Sequence, residues 1–266
     1  MASFEHTVNP DQATFLGFGL EGVAYGIHVI LFGIAVSLLV NKGRKGPSIG
    51  PIFGVSALLF CLSTVHFAIN FNNVYTSTMV HPRPHIAAET HLLVGADAMF
   101  ILSDFFSQLV LIYRCYLVWN RNIWVVILPV LVAFAAASCG FAVIGLVLSI
   151  APTAPQAPAD IVPFGDASFA MSLILNFISS SLIVGRVWWL ARGNEVPGVP
   201  GLSRSRHILR QATGVIVESG LLFLATQFVF VILFAIAHPA QALVEPLAVQ
   251  IYVRPSLHTS ACFPSF

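Results

Sequence analysis

The sequence predicts an all-α fold: a polytopic bundle of transmembrane helices with six full spans, a partial seventh and the N-terminus outside. Three observations predict it. Only 9% of the residues are charged and 57% are hydrophobic, whereas soluble domains carry about a quarter charged residues. The apolar residues gather into runs of about twenty or more, enough helix to cross ~30 Å of hydrocarbon. Of the twelve lysines and arginines, eleven fall on one side of the predicted topology and only Arg83 on the other. That asymmetry puts the loops bearing the eleven in the cytosol. With a net charge of +1 and no basic patch, no nucleic-acid partner is expected.

Residues 1–16 read as a polar extracellular tail and residues 17–253 as a single transmembrane domain. The first span, 17–40, contains Glu21 and His28 and is followed by a short basic turn with Lys42, Arg44 and Lys45. The second, 51–70, places His66 and Asn70 one turn apart. Residues 71–91 read as a polar loop, with His81, Arg83 and His85 among prolines. The third span is 92–113. The fourth, 123–150, carries no charge, and Pro129 predicts a kink near its start. Four prolines make 151–166 an extended loop. The fifth span, 167–190, has Asn176 in its middle. It ends on Arg186, Trp188 and Trp189, the cation and aromatics of a membrane interface. The sixth, 211–237, has one charge, Glu218. The apolar stretch 243–253 is too short to cross, so the seventh span is partial, and 254–266 reads as a disordered tail.

The third span is the predicted centre. Asp97 and Asp104 are seven residues apart, ~20° short of two helical turns, so they share a face. A carboxylate inside a span costs roughly 2.5–3.5 kcal/mol on insertion scales, which turns that face inward. The expected neighbours are Asn70 and His66 of the second helix, or Glu21 and His28 of the first.

Four blocks then resemble one family. They are Tyr113-Arg114-Cys115-Tyr116-Leu117-Val118-Trp119, Ile127-Leu128-Pro129, Gly185-Arg186-Val187-Trp188-Trp189 and Ile216-Val217-Glu218-Ser219-Gly220. In this order they resemble a fungal, chiefly basidiomycete, family of uncharacterised seven-transmembrane, receptor-like proteins. The resemblance covers spans one to six. Its members finish with a full seventh helix; here the chain departs at about Tyr252, which implies a truncated one. The resemblance implies an architecture and brings no ligand with it.

Glu21, His28, His66, Asn70, Asp97, Asp104 and Asn176 all fall in the outer half of the membrane or near its midplane. They are the candidate ligand-binding residues, with Asp97 or Asp104 as counter-charge to a cationic group. The same groups also suit interhelical hydrogen bonds or a proton or cation path. Arg114 and Glu218 form a candidate cytoplasmic switch pair. Otherwise Arg114 snorkels to lipid phosphate and Glu218 meets Arg186. His81, His85 and His91 sit in or beside a proline-rich loop, and no metal or other cofactor is expected. Lys42 and Lys45 are the only lysines and both lie in a loop, which excludes a retinal Schiff base. Cys61 and Cys139 read as buried packing residues, and Cys115 as a palmitoylation site or another packing residue.

No catalytic set is evident, so the chain is not expected to be an enzyme. The expected function is a receptor-like sensor of a small extracellular ligand. The alternative is a transporter or channel using the intramembrane Asp, Glu and His groups. Expected partners are membrane lipids, a small molecule, and a cytoplasmic signalling protein at 113–122 and 186–210. The plasma membrane is expected rather than an endomembrane.

Overall fold

The computed structural model describes residues 10–41, 49–80, 91–149 and 162–192. Beyond these it describes 221, 224–234, 236, 240, 243–245 and 247–249. Among the described residues there is helix and turn but no strand. Five long helices follow in order: α1 Pro10–Asn41, α2 Ile49–Tyr75, α3 His91–Val118, α4 Trp124–Ser149 and α5 Val162–Arg192. Each contains an apolar stretch long enough to cross a membrane, so this is a multi-span membrane protein. A shorter apolar helix, α6, covers Leu224–Phe234. The rest of the expected sixth span, including Glu218, lies mostly outside the described residues, as do the tail 254–266 and the loop histidines His81 and His85.

The helices overrun the apolar runs that mark them. α1 starts at Pro10, where a proline costs no hydrogen bond and Asp11 faces the positive end of the helix dipole. α5 starts at Val162, with Pro163 in its first turn, inside the stretch expected to be loop. The expected loop 71–91 needs the largest correction. α2 runs on to Tyr75 and then through a π-helical turn, Thr76–Val80. The polar residues there are compatible with helix because they bond their own backbone. Thr76 donates to the Asn72 carbonyl, and Thr78 to that of Val74 at 2.6 Å. Asn73 and Ser77 are buried, so this turn packs inward.

α3 packs against α2, α4 and α5, and α4 packs against α5. Among the five long helices α1 touches only α2. That contact is an aromatic ladder in which Phe32 stacks on Phe60 at 4.3 Å and Tyr25 on Phe67 at 4.7 Å. α4 approaches α3 and α5 through Val126, Pro129, Ala133, Ala136 and Gly140. These fall three or four apart, so they form one stripe, and their small side chains allow close approach. A second core joins α3 to the later chain: Phe100 packs with Phe230, Ala248 and Val249. The short helical pieces 243–245 and 247–249 therefore have an inward-facing end at Ala248 and Val249.

α3 turns into α4 within five residues. Asn120 and Arg121 adopt left-handed conformations, with φ of 54° and 62°. The turn closes through Arg121 N–H to the Tyr116 carbonyl at 2.9 Å. Asn122 Oδ1 then accepts from Trp124 N–H at 3.1 Å and caps α4. Replacing Asn122 with alanine is expected to cost about 1 kcal/mol. The shift of the thermal midpoint in detergent checks this, with Asn122→Asp expected to keep most of the stability.

Two expectations about cysteine change. Cys61 is exposed, on a face that must meet lipid or another helix, and Cys139 is only half-buried. Cys115 is 0% exposed, so it packs between helices and its thiol is not presented for acylation.

Candidate functional site

The inner polar residues gather into two groups. The first joins α1 to α2. Glu21 Oε1 lies 2.7 Å from His66 Nδ1, and Glu21 Oε2 accepts from Asn70 Nδ2 at 2.9 Å. An ionised carboxylate only accepts, so Nδ1–H of His66 donates. The one-turn spacing of His66 and Asn70 lets α2 present both to one carboxylate. Glu21 is 0% exposed and His66 1%, and both carboxylate oxygens are taken. Tyr25 and Thr64 share a hydrogen bond of 3.0 Å one turn further along. His28 is buried, edge-on to Phe60.

The second group joins α3, α5 and α6. Ser172 donates to Asp104 Oδ2 at 2.5 Å. Gln108 Nε2 donates to the same oxygen at 2.7 Å and also to Ser172 Oγ. The carboxylate needs donors, which assigns the Gln108 amide with nitrogen toward Asp104 and Oε1 away. One turn along α5, Asn176 Nδ2 donates to Gln227 Oε1 of α6 at 2.5 Å, with both residues buried. Three acceptors of this group have no hydrogen-bond partner among the described residues: Asp104 Oδ1, Gln108 Oε1 and Asn176 Oδ1.

A small cavity adjoins Asp104 and Gln108. Its walls are Phe100, Ile101 and Phe105 of α3, Ala133, Ala136 and Ala137 of α4, and Ser168 and Phe169 of α5. The space open to the centre of a water-sized sphere is ≈ 10 Å³, at the threshold for one water molecule.

The seven expected ligand residues therefore do not form one pocket. Glu21, His66 and Asn70 come together between α1 and α2, as their spacing suggested. Asp104 turns instead to α5, and the neighbours expected on the first and second helices are replaced by Ser172 and Gln108. Asp97, two turns earlier on α3, is half-buried. Ser172, Gln108 and Gln227 were not singled out from the sequence, because uncharged polar residues barely mark a hydropathy profile. The available signals were spacing: Gln108 is four residues after Asp104, and Ser172 four before Asn176.

At the other end of α3, Arg114 is 6% exposed, so it does not snorkel outward to lipid. Its expected partner Glu218 lies outside the described residues, as does any pairing of Glu218 with Arg186. The Arg186 guanidinium stacks over Trp119 and Trp189, 5.2 and 4.6 Å from the ring centres. Among the described residues no three His, Cys, Asp or Glu side chains approach closely enough to hold a metal.

No protein-family model, curated protein or solved structure matches this chain.

Proposed function

We propose that this multi-span protein is a receptor-like sensor of a small extracellular ligand. The reading gives it seven helix positions, an outside N-terminus and basic cytoplasmic loops. It includes membership of the basidiomycete family that the 113–119 block resembles, residence in the plasma membrane, and no catalytic activity. The signalling partner docks at 113–122 and 186–210.

The observation that supports this reading is the polar link across the bundle interior. Asp104, Gln108 and Ser172 tie α3 to α5, and Asn176 and Gln227 tie α5 to α6. Acceptors in that link without a described partner, Asn176 Oδ1 among them, are places where a donor-bearing ligand would gain bonds, more of them in an arrangement of the helices that opens the link than in one that covers it. Differential bonding of that kind shifts a conformational equilibrium. Transport of a small cation is the second reading, and the cavity beside Asp104 favours it.

Two measurements test the proposal. In a cysteine-free background, single cysteines at positions 80 and 200 are labelled from outside intact cells. Reaction at 80 and not at 200 is expected; reaction at 200 overturns the orientation. In liposomes, a receptor carries no sodium, potassium or proton flux above protein-free vesicles. A flux lost in Asp104→Asn replaces the receptor with a transporter.

A further inference from the structure

Asp104 is a carboxylate inside a membrane bundle with one oxygen used and one idle. Oδ2 accepts from Ser172 and Gln108, while Oδ1 is buried and has no partner among the described residues. Gln108, 1% exposed, likewise has a buried Oε1 with no partner. Both residues line the same water-sized cavity. Buried acceptors without a partner, on two residues that line one small space, call for a donor or a positive charge.

Charge decides which. The hydrogen-bond partners of Asp104 are the uncharged Ser172 and Gln108, and no ion pair joins it to a described cation. Arg114, ten residues further along α3, is about 15 Å away along the helix axis. A water molecule there would leave the negative charge of an ionised Asp104 uncompensated in hydrocarbon. A small cation would cancel it. Ser168 Oγ, on the cavity wall, donates to the Ala136 carbonyl at 2.8 Å and keeps a lone pair free to coordinate. The donor set is all oxygen, which suits a hard ion. The single charge of Asp104 suits a monovalent one. The water-sized space suits sodium over the larger potassium.

We propose that the cavity between α3, α4 and α5 binds one sodium ion through Asp104 Oδ1 and Gln108 Oε1, with Ser168 Oγ beside it. The site stands on the described helices alone and holds for a receptor or a transporter.

The test uses the purified full chain in detergent, unfolded thermally in sodium, potassium or choline chloride at equal ionic strength. Sodium is expected to raise the wild-type midpoint by about 3–8 °C over choline, and potassium by less. Two variants remove the site differently. Asp104→Asn keeps an acceptor for Ser172 and Gln108 and places an amide donor toward Gln108 Oε1, so both charge and vacancy go. Ala137→Val fills the cavity and leaves Asp104 intact. Each is expected to abolish the sodium-specific rise. Equal midpoints in all three salts overturn the proposal, since water or a proton then fills the cavity. A sodium rise that survives both variants overturns it too, by placing the ion elsewhere. Should either variant not fold, radioactive sodium binding to the wild type decides. One site per chain, displaced by unlabelled sodium and not by choline, supports the proposal; its absence ends it.

Discussion

Replacing Glu21 with alanine is expected to destabilise the protein by about 2–4 kcal/mol. The carboxylate is fully buried and holds His66 on one oxygen and Asn70 on the other. Alanine leaves both partners facing a dry interior with nothing to bond. Glu21→Gln keeps an acceptor for Asn70, and loses only part of this, about 1–2 kcal/mol. The double change Glu21→Leu with His66→Leu is expected to be milder than Glu21→Ala, because the orphaned donor goes with its acceptor. Denaturation midpoints in mixed micelles measure all three. Interhelical hydrogen bonds in membranes average only about 0.6 kcal/mol, because loosened helices find other partners. A loss below about 1 kcal/mol for Glu21→Ala would mean that such partners exist for His66 and Asn70 as well.

The second large effect is expected at Gly140. A Cβ there would lie 3.1 Å from Ile101 Cδ1 and 3.2 Å from both Ile101 Cγ1 and Ser168 Oγ. Gly140→Ala asks those side chains to shift by a few tenths of an ångström and gains up to about 1 kcal/mol of helix propensity. The two terms roughly cancel, and a change within about 0.5 kcal/mol is expected. Gly140→Leu adds three more carbons with nowhere to go. It must push α4 away from α3 and α5, at a cost of about 3 kcal/mol. The ratio of the two variants, read from thermal midpoints, is the informative quantity. If leucine is tolerated as well as alanine, α4 does not sit as close to Ile101 as described.

The bundle was legible because hydropathy is a property of long windows. Runs of twenty apolar residues identify α2 to α5 whatever their neighbours do. Their ends were not legible. Pro10, Pro163 and the Asn72–Thr78 stretch all look like loop, yet each suits a helix end that lies where polar groups can still be bonded. Part of the site was readable from spacing within one helix: His66 and Asn70 one turn apart, facing an acid on a neighbour. The partners of Asp104 were not readable. Which neighbouring helix the carboxylate meets depends on how the helices pack, here with α4 close to Ile101 of α3 and Ser168 of α5 at Gly140. Spacing says which residues share a face; it does not say what that face touches. Arg114 and Cys115 show the same limit, since both lie beside a predicted interface and both turn inward.

The Glu21 contact also bears on how the chain enters the membrane. The first helix is made before the second, so its carboxylate emerges from the ribosome when His66 and Asn70 do not yet exist. An acid alone near the middle of a span lowers its partitioning into lipid by roughly 2.5–3.5 kcal/mol. α1 would therefore wait beside the translocation channel until α2 arrives, and the two would leave as a hairpin with the acid already covered. Mutating His66 then acts on biogenesis before it acts on the finished fold: it leaves the first segment without its escort. The count of correctly threaded chains would fall even where the survivors are stable.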